Sequence, residues 1–151
     1  SAPEGQVQFD KLESWTKRPE DGIRYFSGTA SYTQGVNVSQ ARLQSGKRVY
    51  LDLGDVLHLA EVFVNDKPLG VLWKPPYRVD ITDVAKPGAN KIEVRVTNVW
   101  KNRLIGDQKL PAQQRITWTF YPFYKADAPL VESGLLGPVR LLSAGVNEVP
   151  R

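Results

Sequence analysis

The sequence predicts an all-β sandwich, and three observations carry that prediction. Apolar and polar residues alternate at period two along several short stretches, which sends every second side chain to the same face of a strand. Clusters of Gly, Pro and Asn punctuate the chain between these stretches. No long segment repeats at the helical period. About seven to nine short strands with little helix are expected, which suits two packed sheets.

Residues 22–38 (GIRYFSGTASYTQGVNV) read as one long strand, or as two broken at Gly28, rich in aromatic and β-branched residues. Residues 48–53 (RVYLDL) form a second segment with Val49, Leu51 and Leu53 on one face, and Gly54-Asp55 then turns the chain. Residues 60–64 (AEVFV) and 69–73 (LGVLW) flank the polar turn Asn65-Asp66-Lys67-Pro68 and read as a hairpin. Pro75-Pro76 bars both helix and central strand, so residues 74–76 make a rigid corner before strand resumes over 77–81 (YRVDI). After the turn at residues 86–90, residues 91–99 alternate cleanly, with Ile92, Val94 and Val96 inward and Glu93, Arg95 and Thr97 outward. A looser segment runs to Gln113-Gln114. Residues 115–120 (RITWTF) are expected to form a strand, a Pro-containing loop follows, and residues 137–142 (GPVRLL) close the domain.

A length of 151 residues fits one domain, so residues 1–151 are read as a single β-sandwich. No apolar run approaches the roughly 20 residues of a membrane span, and none resembles a signal-peptide core. With no cysteine there is neither a disulfide nor a thiolate metal site, which leaves the compartment open. The net charge of +4 is scattered, its longest basic runs being Lys17-Arg18 and Lys47-Arg48, which argues against a nucleic-acid partner. The start at Ser1-Ala2-Pro3, without an initiating Met, reads as a trimmed start or a domain cut from a longer chain.

The densest chemistry lies in residues 64–107. There Trp73, Tyr77 and Trp100 accompany Asn65, Lys74, Arg78, Asn98, Asn102, Arg103 and Asp107. Sugars offer an apolar CH face to aromatic planes and hydroxyls to amides and charged forks, so this mixture is the chemistry of carbohydrate recognition. The same residues can serve architecture instead. Large rings fill cores and brace corners, Arg103 can pair with Asp107 four residues on, and Asn98 and Asn102 can satisfy loop backbone. Exposure of Trp73 and Trp100 separates the two roles. Asp52, Asp80 and Glu93 alternate with apolar neighbours, and nothing pairs two carboxylates as glycosidase chemistry requires. The lone His58 forms no His-rich metal site, and neither a nucleophile elbow nor a phosphate loop is present.

The order of GIRYFSGTASY, VYLDLGDV, AEVFVNDKPLGVLWKPPYRVDIT, NKIEVRVTNVWKNRLIGD and SGLLGPVRL resembles the galactose-binding-like, sugar-binding jelly roll of glycoside hydrolase family 2. It is most similar to the module at the C-terminal end of bacterial α-L-rhamnosidases related to glycoside hydrolase family 106. The resemblance runs from about Phe9 to about Leu142. V-N-x-x-x-L-G-x-x-W marks the broad superfamily, while NRLIGD and SGLLGPV point to the rhamnosidase-like group.

That resemblance implies a two-sheet jelly roll accompanying a catalytic domain in a secreted or periplasmic polysaccharide-degrading enzyme. A chain of this length has no room for a barrel beside the sandwich, so no catalytic residue is carried over. The implied function is non-catalytic carbohydrate binding, with Trp73, Lys74, Tyr77, Trp100, Asn102, Arg103, Asn65 and Asp107 as site residues. A purely structural module packed on the catalytic domain is the alternative. Implied partners are a plant or other polysaccharide and that domain, with no nucleic acid or membrane. Related sandwiches often hold a structural calcium ion. Asp52, Asp55 and Asp83 are candidate ligands, but their spacing matches no calcium-loop signature and no site is assigned.

Overall fold

In the computed structural model, residues 5–145 are described, and the start at Ser1 lies outside them. A four-residue helix α1 (Asp21–Arg24) precedes the strands β1 (Thr29–Val38), β2 (Lys47–Asp52), β3 (Asp55–Leu57), β4 (Leu59–Val64), β5 (Lys67–Leu72), β6 (Arg78–Asp80) and β7 (Gly88–Thr97). Helix α2 (Lys101–Gln108) follows, and β8 (Gly134–Gly137) and β9 (Arg140–Gly145) end the described chain.

Strands pair antiparallel into a four-stranded sheet, β1-β7-β4-β5, a three-stranded sheet, β6-β2-β9, and a short β3-β8 pair. Alternation dictates which faces meet. Val62 and Val64 of β4 and Ile92, Val94 and Val96 of β7 turn inward, against Val49 and Leu51 of β2. Leu53, Val56, Ile81 and Leu135 complete the same core, and Trp15 covers it from the N-terminal side. The indole N–H of Trp15 donates to the Tyr32 hydroxyl at 2.5 Å, so this buried ring keeps its polar atom satisfied. The result is an antiparallel β-sandwich, as the alternation predicted.

Several boundaries differ from the sequence reading. Residues 22–38 divide near Gly28 (φ 139°), but their first part is helix α1 followed by irregular chain, not strand. The hairpin turn has two residues rather than four: Asn65 (φ 51°) and Asp66 (φ 64°) both take the left-handed conformation that matches strand twist. Pro68 therefore sits within β5, which tolerates it because β5 is an edge strand. The looser segment after β7 contains helix α2. Residues 115–120 form no strand among the described residues.

Candidate functional site

β4 lies between β5 and β7, and Ala60 pairs with both Leu72 and Val96. Trp73 and Asn98 therefore leave their strands at the same end of the sheet, about 10 Å apart with one strand between them. Trp73 is 68% exposed, and the Lys74 ammonium stands 5.2 Å from its ring centroid. Tyr77 is half-buried and its hydroxyl donates to the His58 carbonyl at 3.2 Å, which braces the Pro-Pro corner.

Asn98 ties β7 to the N-terminal segment. Its carbonyl accepts from the Gly28 N–H at 3.0 Å and its amide donates to the Phe26 carbonyl at 2.9 Å. Two residues later Trp100 begins helix α2 from the N-cap position and is 75% exposed.

Helix α2 buries Asn102, Ile105, Gly106 and Asp107 on one side. Asn102 donates to the carbonyl of Val131 at 2.6 Å and to Ser133 Oγ at 3.3 Å, and it accepts from the Val131 N–H at 2.8 Å. Arg103 pairs with Asp107 at 2.8 Å, one helical turn on. The other Asp107 oxygen accepts from the N–H groups of Ile116 and Thr117 at 3.2 and 2.7 Å, and from the Thr117 hydroxyl at 2.5 Å. Burial pushes this carboxyl up, but the Thr117 hydroxyl and N–H, the Arg103 charge and the Ile116 N–H outweigh it and hold it below the usual carboxylate range.

These contacts divide the eight predicted site residues. Trp73 and Lys74 leave β5 at the sheet end where Asn98 leaves β7, Trp100 follows two residues after Asn98 and lines a groove with Arg103, and Tyr77 braces the corner through His58. Asn65, Asn102 and Asp107 are corrections to the sugar-site reading. Asn65 lies at the opposite end of β4, about 20 Å away, bonded to Asn90, the Val84 carbonyl and the Lys91 N–H. Asn102 and Asp107 are almost fully buried and committed to neighbouring backbone, so they are architecture.

Between α2 and residues 116–119 runs a groove of about 650 Å³, lined by Phe26, Trp100, Arg103, Leu104 and Trp118 among others. A cavity of about 230 Å³ between α1 and α2 shares Gly22, Arg103 and Ile116 with it. The Nε of Arg103 is buried here without a hydrogen bond. Sequence reasoning missed the outer wall of the groove. Ile116, Trp118, Phe120, Tyr121 and Phe123 are all exposed, where the sequence predicts a strand over residues 115–120 and a loop after it. Aromatic density between Pro111 and Pro129 was the available signal.

The other carboxylates considered from sequence are paired. Asp52 accepts from Arg78 at 2.7 Å, Asp80 from Arg48 at 2.5 Å and Glu93 from Arg95 at 2.7 Å. Among the described residues no three His, Asp or Glu side chains converge on a metal position. Asp52 is engaged by Arg78 and the Gly54 N–H, so the Asp52, Asp55 and Asp83 set does not fit calcium.

Residues 15–127 match the family described as glycosyl hydrolase 2 galactose-binding domain-like. The chain is 43% identical over 159 aligned residues to a putative β-glucuronidase of Formosa agariphila, covering 90% of this chain and 14% of that protein. It superposes with a TM-score of 0.88 and 45% identity on a rhamnosidase from Novosphingobium sp. PP1Y, covering 95% of this chain and 13% of that one. A β-glucuronidase from an uncultured Clostridium sp. shares the fold at a TM-score of 0.60 and 21% identity, with 89% of this chain and 22% of that one covered. Relatives of near-equal identity thus carry different activity names, and the chain spans about one seventh of their length. By sequence pattern, sandwich topology and matched length, the chain belongs to the glycosyl hydrolase 2 galactose-binding domain-like family.

Proposed function

We propose that this chain is a non-catalytic carbohydrate-binding module of a bacterial polysaccharide-degrading glycoside hydrolase. One observation carries the reading: Trp73 and Trp100 are both mostly exposed, and each follows a strand that ends at the same end of the sheet. An indole there can stack on the CH face of a sugar. Lys74 beside Trp73 supplies a charged donor for hydroxyl or carboxylate oxygens, while Arg103, paired with Asp107, lines the groove next to Trp100. Binding is weak, because one or two solvated stacking contacts leave little net free energy after the cost of association. The catalytic domain of the parent enzyme is the partner in this reading. In this reading that enzyme is secreted or periplasmic, as the family resemblance implies.

Calorimetric titration against plant, algal and bacterial glycans tests the proposal. Trp73→Ala and Trp100→Ala are each expected to weaken binding by up to about tenfold, the worth of one aromatic contact. If no such glycan binds at millimolar concentration, carbohydrate recognition is abandoned. The chain alone is expected to hydrolyse neither rhamnosides nor glucuronides, and turnover of either overturns the non-catalytic assignment. A purely structural accessory role is the second reading, favoured by the exposed apolar run at residues 116–123.

A further inference from the structure

Residues 116–120 are patterned inside out. Thr117 and Thr119 are partly buried, whereas Ile116, Trp118 and Phe120 project outward, Trp118 at 83% and Phe120 at 94% exposure. Tyr121 and Phe123 continue the exposed run. Residues 118–123 make no backbone hydrogen bond among the described residues, although the base of the segment is clamped to helix α2 through Asp107 and Thr117. Five large side chains at these exposures present on the order of 700 Å² of apolar surface, taking about 200 Å² per ring. That exceeds the roughly 300–600 Å² of the largest patch on an ordinary monomer and approaches the roughly 800 Å² that one partner contributes to a stable interface.

We infer that residues 116–123 are a docking arm that packs against an apolar, carboxylate-rimmed face on another domain of the same polypeptide. Three observations select that occupant. First, the rings do not form a sugar platform. Trp118 and Phe120 meet edge to face at 82°, Tyr121 and Phe123 at 73°, and residues 115–126 contain no Asn, Gln, Asp or Glu side chain to bind hydroxyls. Second, the surround is basic. Residues 108–127 contain Lys109, Arg115 and Lys125 against a single acidic residue, Asp127, and Lys101 stands over the Tyr124 ring at 5.5 Å. A second copy docked arm to arm would set these charges against each other. Third, the chain spans 13–14% of similar enzymes, so most of such a polypeptide lies beyond it. Tethering makes docking an intramolecular event, which favours it without added contacts.

This inference rests on the accessory-module reading only in requiring a longer polypeptide. Loss of glycan binding in Trp73→Ala leaves it untouched. Its test is hydroxyl-radical footprinting of the full-length polypeptide, with the urea-denatured protein as reference. The expected result is loss of labelling at Trp118, Phe120 and Phe123 in the native monomer, with Phe120→Asp restoring labelling at Trp118. Carbodiimide cross-linking is expected to join Lys109 or Lys125 to a carboxylate outside these 151 residues. Native labelling at the denatured rate overturns the inference. So does protection that appears only as concentration drives dimerisation, which assigns the arm to a second copy. Protection that appears only with added oligosaccharide assigns it to sugar and overturns it equally.

Discussion

At the residue scale, Asp107 shows how a polar cluster that resembles a binding site becomes architecture. Its carboxylate joins helix α2 to the base of the 116–123 arm, and it is only 2% exposed. Because its folded pKa lies below the unfolded value of about 3.9, its stabilisation is full above that pH. It is lost as the pH falls through the folded value. Asp107→Asn is expected to cost about 3 kcal/mol or more at pH 7 in urea unfolding, because Arg103 is left buried without its counter-charge. The same substitution removes this residue's share of the acid-dependent loss. Hydrogen exchange at the Ile116 and Thr117 amides is expected to accelerate in parallel. The i, i+4 pairing of Arg103 with Asp107 was legible in the sequence as a clamp. What it clamps was not, because Thr117 lies ten residues away through irregular chain.

At the element scale, helix α2 is the feature the sequence concealed. Its eight residues, KNRLIGDQ, hold only Leu104 and Ile105 as large apolar side chains, a Gly in the third turn-forming position before the end, and no side-chain N-cap. So short a helix draws its stability from packing rather than from propensity. The packing is close: a Cβ on Gly106 would lie 2.7 Å from Tyr25 Cβ and 2.8 Å from Arg103 Nη2. Gly106→Ala sets two effects in opposition. Helix propensity gains about 1 kcal/mol, while overpacking a rigid contact costs about 1–3 kcal/mol. The obstructing atom sits at the root of a buried side chain and cannot swing away, so a net loss of up to about 2 kcal/mol is expected in chemical denaturation. A gain in stability would mean that α1 and α2 can separate. The strands were more readable. In β2, β4 and β7 every alternating apolar residue falls on the core face, because only one face of each sheet meets another layer. Residues 115–120 carry the same alternation, yet no neighbouring strand accepts them, and alternation alone does not say which face turns to solvent.

At the scale of the whole molecule, two surfaces are left for function, and they adjoin where Trp100 and Trp118 line one groove. The rim at Trp73 and Trp100 serves carbohydrate in the proposed reading, and the 116–123 arm serves the neighbouring domain. They differ in what removal should do. Trp73→Ala is expected to leave the unfolding free energy within about 0.5 kcal/mol, since the ring is mostly solvated. Phe120→Ser combined with Phe123→Ser is expected to raise the solubility of the isolated chain without moving its unfolding midpoint, because an uncovered apolar patch drives association rather than folding. Light scattering and urea titration of the double variant read the two effects separately.

The sequence by itself determined the fold class, most strand-bearing segments and the inward faces of β2, β4 and β7, because alternation and turn chemistry are local properties of the chain, while its motifs carried the family resemblance. Tertiary structure decided the roles of the aromatics and amides. Trp73, Trp100 and Trp118 face solvent and Trp15 does not, yet nothing in their neighbouring residues separates them. Exposure depends on which layer covers a segment, and that is set by contacts between residues far apart in the chain. The dense stretch from Val64 to Asp107 consequently contributes Trp73, Lys74, Trp100 and Arg103 to a candidate surface, and contributes Asn65, Asn102 and Asp107 to the framework that holds it.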